Sequence, residues 1–241
     1  MTHKPKAQDL PKLPRNVLMI LAGIFGLYML GSGIYGIIFE KSAEEALAEN
    51  PNSVALQTLV ELPAPSGAKV PSYDRKQFGD GWADLDDDGC NTRNEILARD
   101  LQNVKTKPNG CVVDTGVLND PYTGADIQFR HGKDTSAEVQ IDHVVALANA
   151  WASGAWEWDI LEREDFANDP LNLLAVDGAA NQEKLAKSAD EWLPPKADAE
   201  CDYVARQIAV KSKWELSVTD AERQAMADVL QSCPNVDLPV R

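Results

Sequence analysis

The sequence predicts an α+β protein, a mainly helical domain with a few short strands and disulfide staples, preceded by one transmembrane helix. Three observations predict it. Val17 to Phe39 form a stretch of 23 residues without a charge. Beyond it, pairs such as Ile127/Phe129 and Val139/Ile141 alternate as strands do, while other runs step at helical spacing. All four cysteines, Cys90, Cys111, Cys201 and Cys233, fall on the far side of the uncharged stretch.

Composition sets the frame for the individual elements. Apolar residues make up 44% and charged residues 25% of the 241, which excludes a disordered chain and a polytopic membrane protein. The formal charge is −15, an acidic balance that argues at first sight against a nucleic-acid partner. That charge is unevenly placed. Lys4, Lys6, Lys12 and Arg15 against Asp9 give residues 1–39 a net +3, so the remainder carries −18. A bilayer-spanning helix needs about 20 residues, and a cleaved signal peptide typically has an apolar region of only about 7–15. The stretch therefore reads as an anchor: 1–16 a basic cytoplasmic tail, 17–39 the transmembrane helix or signal anchor, and the body outside. Ala46-Leu47-Ala48 offers a cleavage pattern, and cleavage would make the protein secreted.

The outer part divides in turn. Residues 41–60 have helix-forming composition, and Pro63, Pro65, Gly67 and Pro71 read as linker, so 40–72 connects the anchor to a compact domain over 73–241. Residues 93–102 read as a short helix with Thr92 and Glu95 spaced as a capping box. Val112-Val113 and Val117-Leu118 suggest strands, with turn signals at 120–124. Helical composition returns at 145–153 and 161–168, Leu171 to Val176 reads as a strand, and a polar helix follows. Tyr203, Gln207, Val210 and Trp214 step as a helix, and Thr219 with Glu222 caps a last one to about Ser232. Four cysteines permit three pairings; short loop closure favours Cys90–Cys111 and Cys201–Cys233.

Three constellations carry chemistry. The first is Gln140-Ile141-Asp142-His143-Val144-Val145, a strand-like segment delivering an Asp-His pair to its end. The second is Asn168-Asp169-Pro170-Leu171-Asn172-Leu173, followed by Asn181 in Asn181-Gln182-Glu183-Lys184. The order of strand with Asp-His, long connection, Asn, short strand and Asn on a helix resembles the HNH, or His-Me finger, endonucleases. The resemblance is closest to the subgroup related to the C-terminal nuclease of GmrSD-type restriction enzymes. Gly89-Cys90-Asn91-Thr92-Arg93-Asn94-Glu95, Asp120-Pro121-Tyr122-Thr123-Gly124 and Glu191-Trp192-Leu193-Pro194-Pro195 extend it over roughly residues 73–233.

That resemblance implies a ββα-metal finger embedded in the helical domain and a metal-dependent endonuclease acting outside the cytoplasm. His143 would activate water as general base, and Asn172 would hold the loop that carries it. Asp142 and Asn181 would ligate Mg²⁺ or Mn²⁺, and Lys184 and Arg93 would contact substrate phosphate. The partner implied is nucleic acid, DNA before RNA, with the membrane reached through the N-terminal helix and no small-molecule cofactor. The family often has proline three residues after the histidine; here that position is Ala146.

The third constellation is Asp84-Leu85-Asp86-Asp87-Asp88-Gly89, ending at Glu95. It satisfies the calcium-loop pattern, with Asp84, Asp86, Asp88 and Glu95 as the side-chain ligands, against a solvated acidic turn as the plainer alternative. The competing function is therefore a calcium-binding cell-surface module on an inactive nuclease scaffold. Only the enzyme requires Asp142, His143 and Asn181 together.

Overall fold

A computed structural model describes residues 41–133 and 135–240. The span expected over 17–39 lies outside the described residues, and among the described residues no helix is long and apolar enough to cross a membrane. The chain is mixed α+β. In order, the elements are α1 (Ala43–Glu49), α2 (Val54–Glu61), α3 (Thr92–Asp100), β1 (Leu101–Thr106), β2 (Val113–Asn119), β3 (Asp126–Arg130) and β4 (Val139–His143). There follow α4 (Leu147–Ala152), α5 (Ile160–Ala167), β5 (Leu173–Asp177), α6 (Gly178–Lys184), α7 (Glu200–Lys213) and α8 (Asp220–Ser232). β1, β2 and β3 form an antiparallel meander, and β4 pairs with β5 in a separate two-stranded antiparallel ribbon.

The stretch expected to be linker is partly core. α1 and α2 are too short to be stable alone, so their ends must be fixed. Ser42 and Glu45 form a full capping box on α1, and the Ser53 hydroxyl accepts from the Leu56 amide to start α2. Ala46, Leu56 and Leu59 are fully buried in a cluster with Val204, Ile208, Met226 and Leu230 of α7 and α8. Burying each leucine contributes about 1.5–3 kcal/mol, which makes these helices part of the domain. The linker is the extended segment that follows, and its far end is pinned: Trp151 donates to the Pro71 carbonyl at 2.9 Å.

Two other expectations differ in detail. The helix read over 93–102 stops at Asp100, because Leu101 and Gln102 pair with Leu118 and Val117 of β2. Its N-cap is Asn91, whose side chain accepts from Asn94, and Thr92 instead donates to the Ala83 carbonyl at 2.9 Å. Glu95 is thereby released from a capping role.

The described structure carries two disulfides. Cys90–Cys111 joins the approach to α3 with the β1–β2 connection, and Cys201–Cys233 joins the first turn of α7 to the end of α8. Closing loops of 21 and 32 residues restricts the unfolded chain by about 3–4 kcal/mol each in the chain-entropy picture.

Candidate active site

The β4–β5 ribbon and α6 build the site. Ribbon register sets His143 opposite Leu173 and Asp142 opposite Leu174, at the end of β4. β5 then runs directly into α6, capped by the Asp177 carboxylate on the Ala180 amide. Gly178 makes this turn possible. Its amide donates to the Glu138 carbonyl, and a Cβ there would lie 2.1 Å from the Ala137 oxygen. The start of α6 is thus held against the approach to β4 with no side chain at the point of contact.

His143 is buried against Trp82, whose indole stacks on the imidazole at 5.6 Å with an interplanar angle of 6°. Its Nε2 lies 2.8 Å from the Ala167 carbonyl oxygen. A carbonyl only accepts, so Nε2 carries the proton and, in the neutral ring, Nδ1 is the bare nitrogen. Burial pushes the imidazole pKa down to about 3, the positive charges of Arg75 and Lys184 adding to the effect against the hydrogen bond to Ala167. His143 is therefore neutral at ordinary pH.

The loop after His143 is held from beneath. Asn172, fully buried, accepts from the Val145 amide through Oδ1 at 2.8 Å and donates to the Val145 carbonyl through Nδ2 at 3.1 Å. Its backbone carbonyl accepts from Val144, and Gln207 donates to the Val144 carbonyl. Four hydrogen bonds fix the two residues ahead of Ala146, where the family's proline would otherwise restrict the chain.

Asp142 points the other way, as strand alternation requires. Its Oδ2 accepts from the Tyr122 hydroxyl at 2.6 Å and its Oδ1 from Lys184 Nζ at 3.0 Å. Burial raises its pKa, opposed by the lysine charge and the two hydrogen bonds. Lys184 is fully buried and also donates to the His143 carbonyl at 2.9 Å. This corrects the expectation of a phosphate contact: no phosphate reaches an ammonium enclosed by a carboxylate and a carbonyl. It also bears on the metal. An ammonium already occupies the cationic position on Asp142, so Asp142 does not fit as an open ligand beside Asn181. Asn181 does face the cleft; its Nδ2 donates to Gln140 at 2.9 Å, which leaves the lone pairs of its amide oxygen for a metal ion or a hydrogen-bond donor.

Arg93 is tied into the backbone. Its guanidinium donates to the Val139 carbonyl at 3.2 Å and the Ser136 carbonyl at 3.5 Å, tying α3 to the start of β4. His143 stands four residues further along the strand.

The opening beside His143 is a cleft of ≈320 Å³ lined by Arg75, Gln140, Asp142, Ala146, Asn181 and Gln182 among others. A smaller recess of ≈50 Å³ that also touches His143 is lined by Arg75, Phe78, Trp82 and Ala167. Arg75 borders both, is exposed, and makes no ion pair among the described residues. It sits on a 3₁₀ turn (Arg75–Phe78) that Arg163 anchors by donating to the Gln77 carbonyl at 2.9 Å. Arg75 and Trp82 are not legible in the sequence, since a lone arginine or tryptophan in a polar stretch carries no spacing signal.

The acidic loop folds around itself. Asp84 Oδ2 accepts from the Gly89 amide at 2.9 Å, with Gly89 at φ 87°, and ligand oxygens of Asp84, Asp86 and Asp88 lie within 4.8 Å of one another. Glu95 lies outside that trio. Partial burial and then the charges of Asp86, Asp88 and Asp84 raise its pKa.

Residues 91–229 match the family model of the C-terminal domain of GmrSD restriction endonucleases. The chain belongs to that family. It is also 40% identical over 146 residues, 60% of this chain and 68% of the relative, to a protein of Arthroderma benhamiae named as an uncharacterized secreted protein. No solved structure matches the chain. The family segment contains Asp142, His143, Asn172 and Asn181, whereas Arg75, Phe78 and Trp82 precede it. Arg75 at the cleft, and Phe78 and Trp82 at the recess, thus come from residues ahead of the matched segment.

Proposed function

We propose that the chain is an endonuclease that hydrolyses phosphodiester bonds of nucleic acid, with the ββα finger formed by β4, β5 and α6 as its catalytic centre. The observation that carries this reading is the neutral His143, its ring fixed by Ala167 and Trp82 and its Nδ1 bare. In the reaction Nδ1 takes a proton from water and the oxygen attacks phosphorus. The bond from phosphorus to the leaving ester oxygen then breaks. A free-protein pKa near 3 makes a weak base, but a phosphodiester anion in the cleft favours the protonated ring and raises it. Arg75, in place of Lys184 and Arg93, meets the phosphate oxygens. The Asn181 amide oxygen would be the cleft's protein ligand for Mg²⁺ or Mn²⁺, which when bound would supply stabilisation of negative charge on the leaving oxygen.

Purified protein should nick supercoiled plasmid with Mg²⁺ or Mn²⁺ and stop with a chelator, and Arg75→Ala should raise KM at least tenfold. Failure of the wild type to cut DNA or RNA with any divalent ion sinks the enzyme reading; an unchanged KM removes Arg75 from it. Export is part of the proposal. Two disulfides suit an oxidising compartment, and a relative carries the name of a secreted protein. An anchor over 17–39, with the catalytic domain outside, is the proposed mode of retention. The Asp84–Glu95 loop is proposed to hold Ca²⁺ in a structural role. Calorimetry should show heat of Ca²⁺ binding that Asp84→Ala abolishes, and a silent wild type ends that assignment.

A further inference from the structure

Most cations around the core serve the protein itself. Arg93 and Arg99 bond backbone carbonyls, Lys184 and Lys211 sit in buried ion pairs, and Lys213 holds Asp169. The β1–β3 meander is different. Its inner face carries Leu101, Leu118 and Phe129 into a cluster with Ile96 and Leu97 of α3. Gly116 keeps that face tight, since a Cβ there would lie 2.7 Å from Leu101.

Direct cross-strand partners share a face, and the register sets Lys105 opposite Thr115 and Thr115 opposite Arg130. Thr115 is offset by one residue from Gly116, so this row lies on the outer face. Lys105 and Arg130 are exposed. At the same end of the sheet, Lys107 Nζ lies 2.9 Å from His131 Nδ1, and Lys133 is exposed two residues on. Among the described residues none of these four cations has a carboxylate partner. Asp126, at the opposite end of β3, is held by the Asn119 amide.

We propose that the outer face of this sheet is a second contact surface for nucleic acid, gripping backbone phosphates through Lys105, Lys107, Arg130 and Lys133 at a place apart from the cleft. The partner's identity rests on the nuclease reading; the surface itself rests on the sheet. Overall acidity does not oppose it. At physiological salt the Debye length is about 8 Å, so a phosphate on this face responds to the charges around it, four cations against the neighbouring Asp114, rather than to carboxylates elsewhere. Contact through phosphates alone is independent of base sequence.

The test is binding of a fluorescent 20-base-pair DNA duplex, without divalent ions, as salt is varied. Lys105→Gln, Arg130→Gln and Lys133→Gln combined should weaken binding at least tenfold at low salt. They should also flatten the plot of log affinity against log salt by about 2–3, near 0.9 for each phosphate left without its cation. A charge-matched control, Lys41→Gln, Lys69→Gln and Lys196→Gln, should keep the wild-type slope, with near-ultraviolet circular dichroism showing both proteins folded. No duplex binding by the wild type, an unchanged slope in the sheet variant, or an equal loss in the control overturns the proposal. Cleavage plays no part in this readout, so it fails or stands separately from the nuclease reading.

Discussion

His143→Ala is expected to lower phosphodiester cleavage by about 10²–10⁴-fold, the range that removal of a positioned general base produces. Substrate affinity should change little, because the imidazole is assigned to the water rather than to the phosphate. The same variant has a second, independent readout in stability. His143 has a pKa of about 3 when folded, against an ordinary value of 6.5. Between those values the unfolded chain binds the extra proton, so the buried neutral ring is no handicap above pH 6.5 and increasingly one as pH falls toward 3. Wild type should therefore lose more stability than the variant between pH 7 and 4.5, measured as the shift in urea midpoint. Equal cleavage by the two proteins would remove His143 from the chemistry, and equal acid sensitivity would mean the ring is solvated.

Lys184→Met is expected to cost about 3–5 kcal/mol, because it strands the Asp142 carboxylate in the interior without its cation. The loss should shrink as pH falls. With its pKa already raised by burial, Asp142 takes up a proton more readily folded than unfolded, which favours the native state below its folded pKa. Adding Asp142→Asn should recover much of the loss at pH 7, since the amide keeps an oxygen for the Tyr122 hydroxyl. Urea unfolding of wild type, single and double variants measures all three. A Lys184→Met protein of unchanged stability but impaired nicking would return the lysine to the phosphate and undo the buried pairing.

How much the sequence discloses depends on how local the cause is. The helix over 220–232 announces itself through its cap and spacing, and the one over 92–100 through composition, its cap being Asn91 rather than the expected Thr92–Glu95 box. β4 shows in the Val139/Ile141 alternation and β5 in a short apolar run. β1 does not, since Leu101-Gln102 continues a helical composition and becomes strand only through pairing with β2, a partner some fifteen residues away. The core role of α1 and α2 is equally hidden, because seven or eight residues are too few for an apolar stripe to show which side is buried. At the site, the Asp142–His143 step and Asn172 follow from order along the chain. The fate of Lys184 does not. A lysine on a short polar helix reads as solvated, and its enclosure comes from the glycine-tight seating of α6 on β4.

The Asn172–Val145 pair imitates one rung of a β-ladder, with a carboxamide standing in for a missing strand. A carboxamide has no proton to gain or lose and no net charge for salt to screen. The bend that presents the imidazole thus keeps its shape across acid, brine and fresh medium alike. A change of protonation with pH then falls on the imidazole, while the carboxamide beneath it stays indifferent.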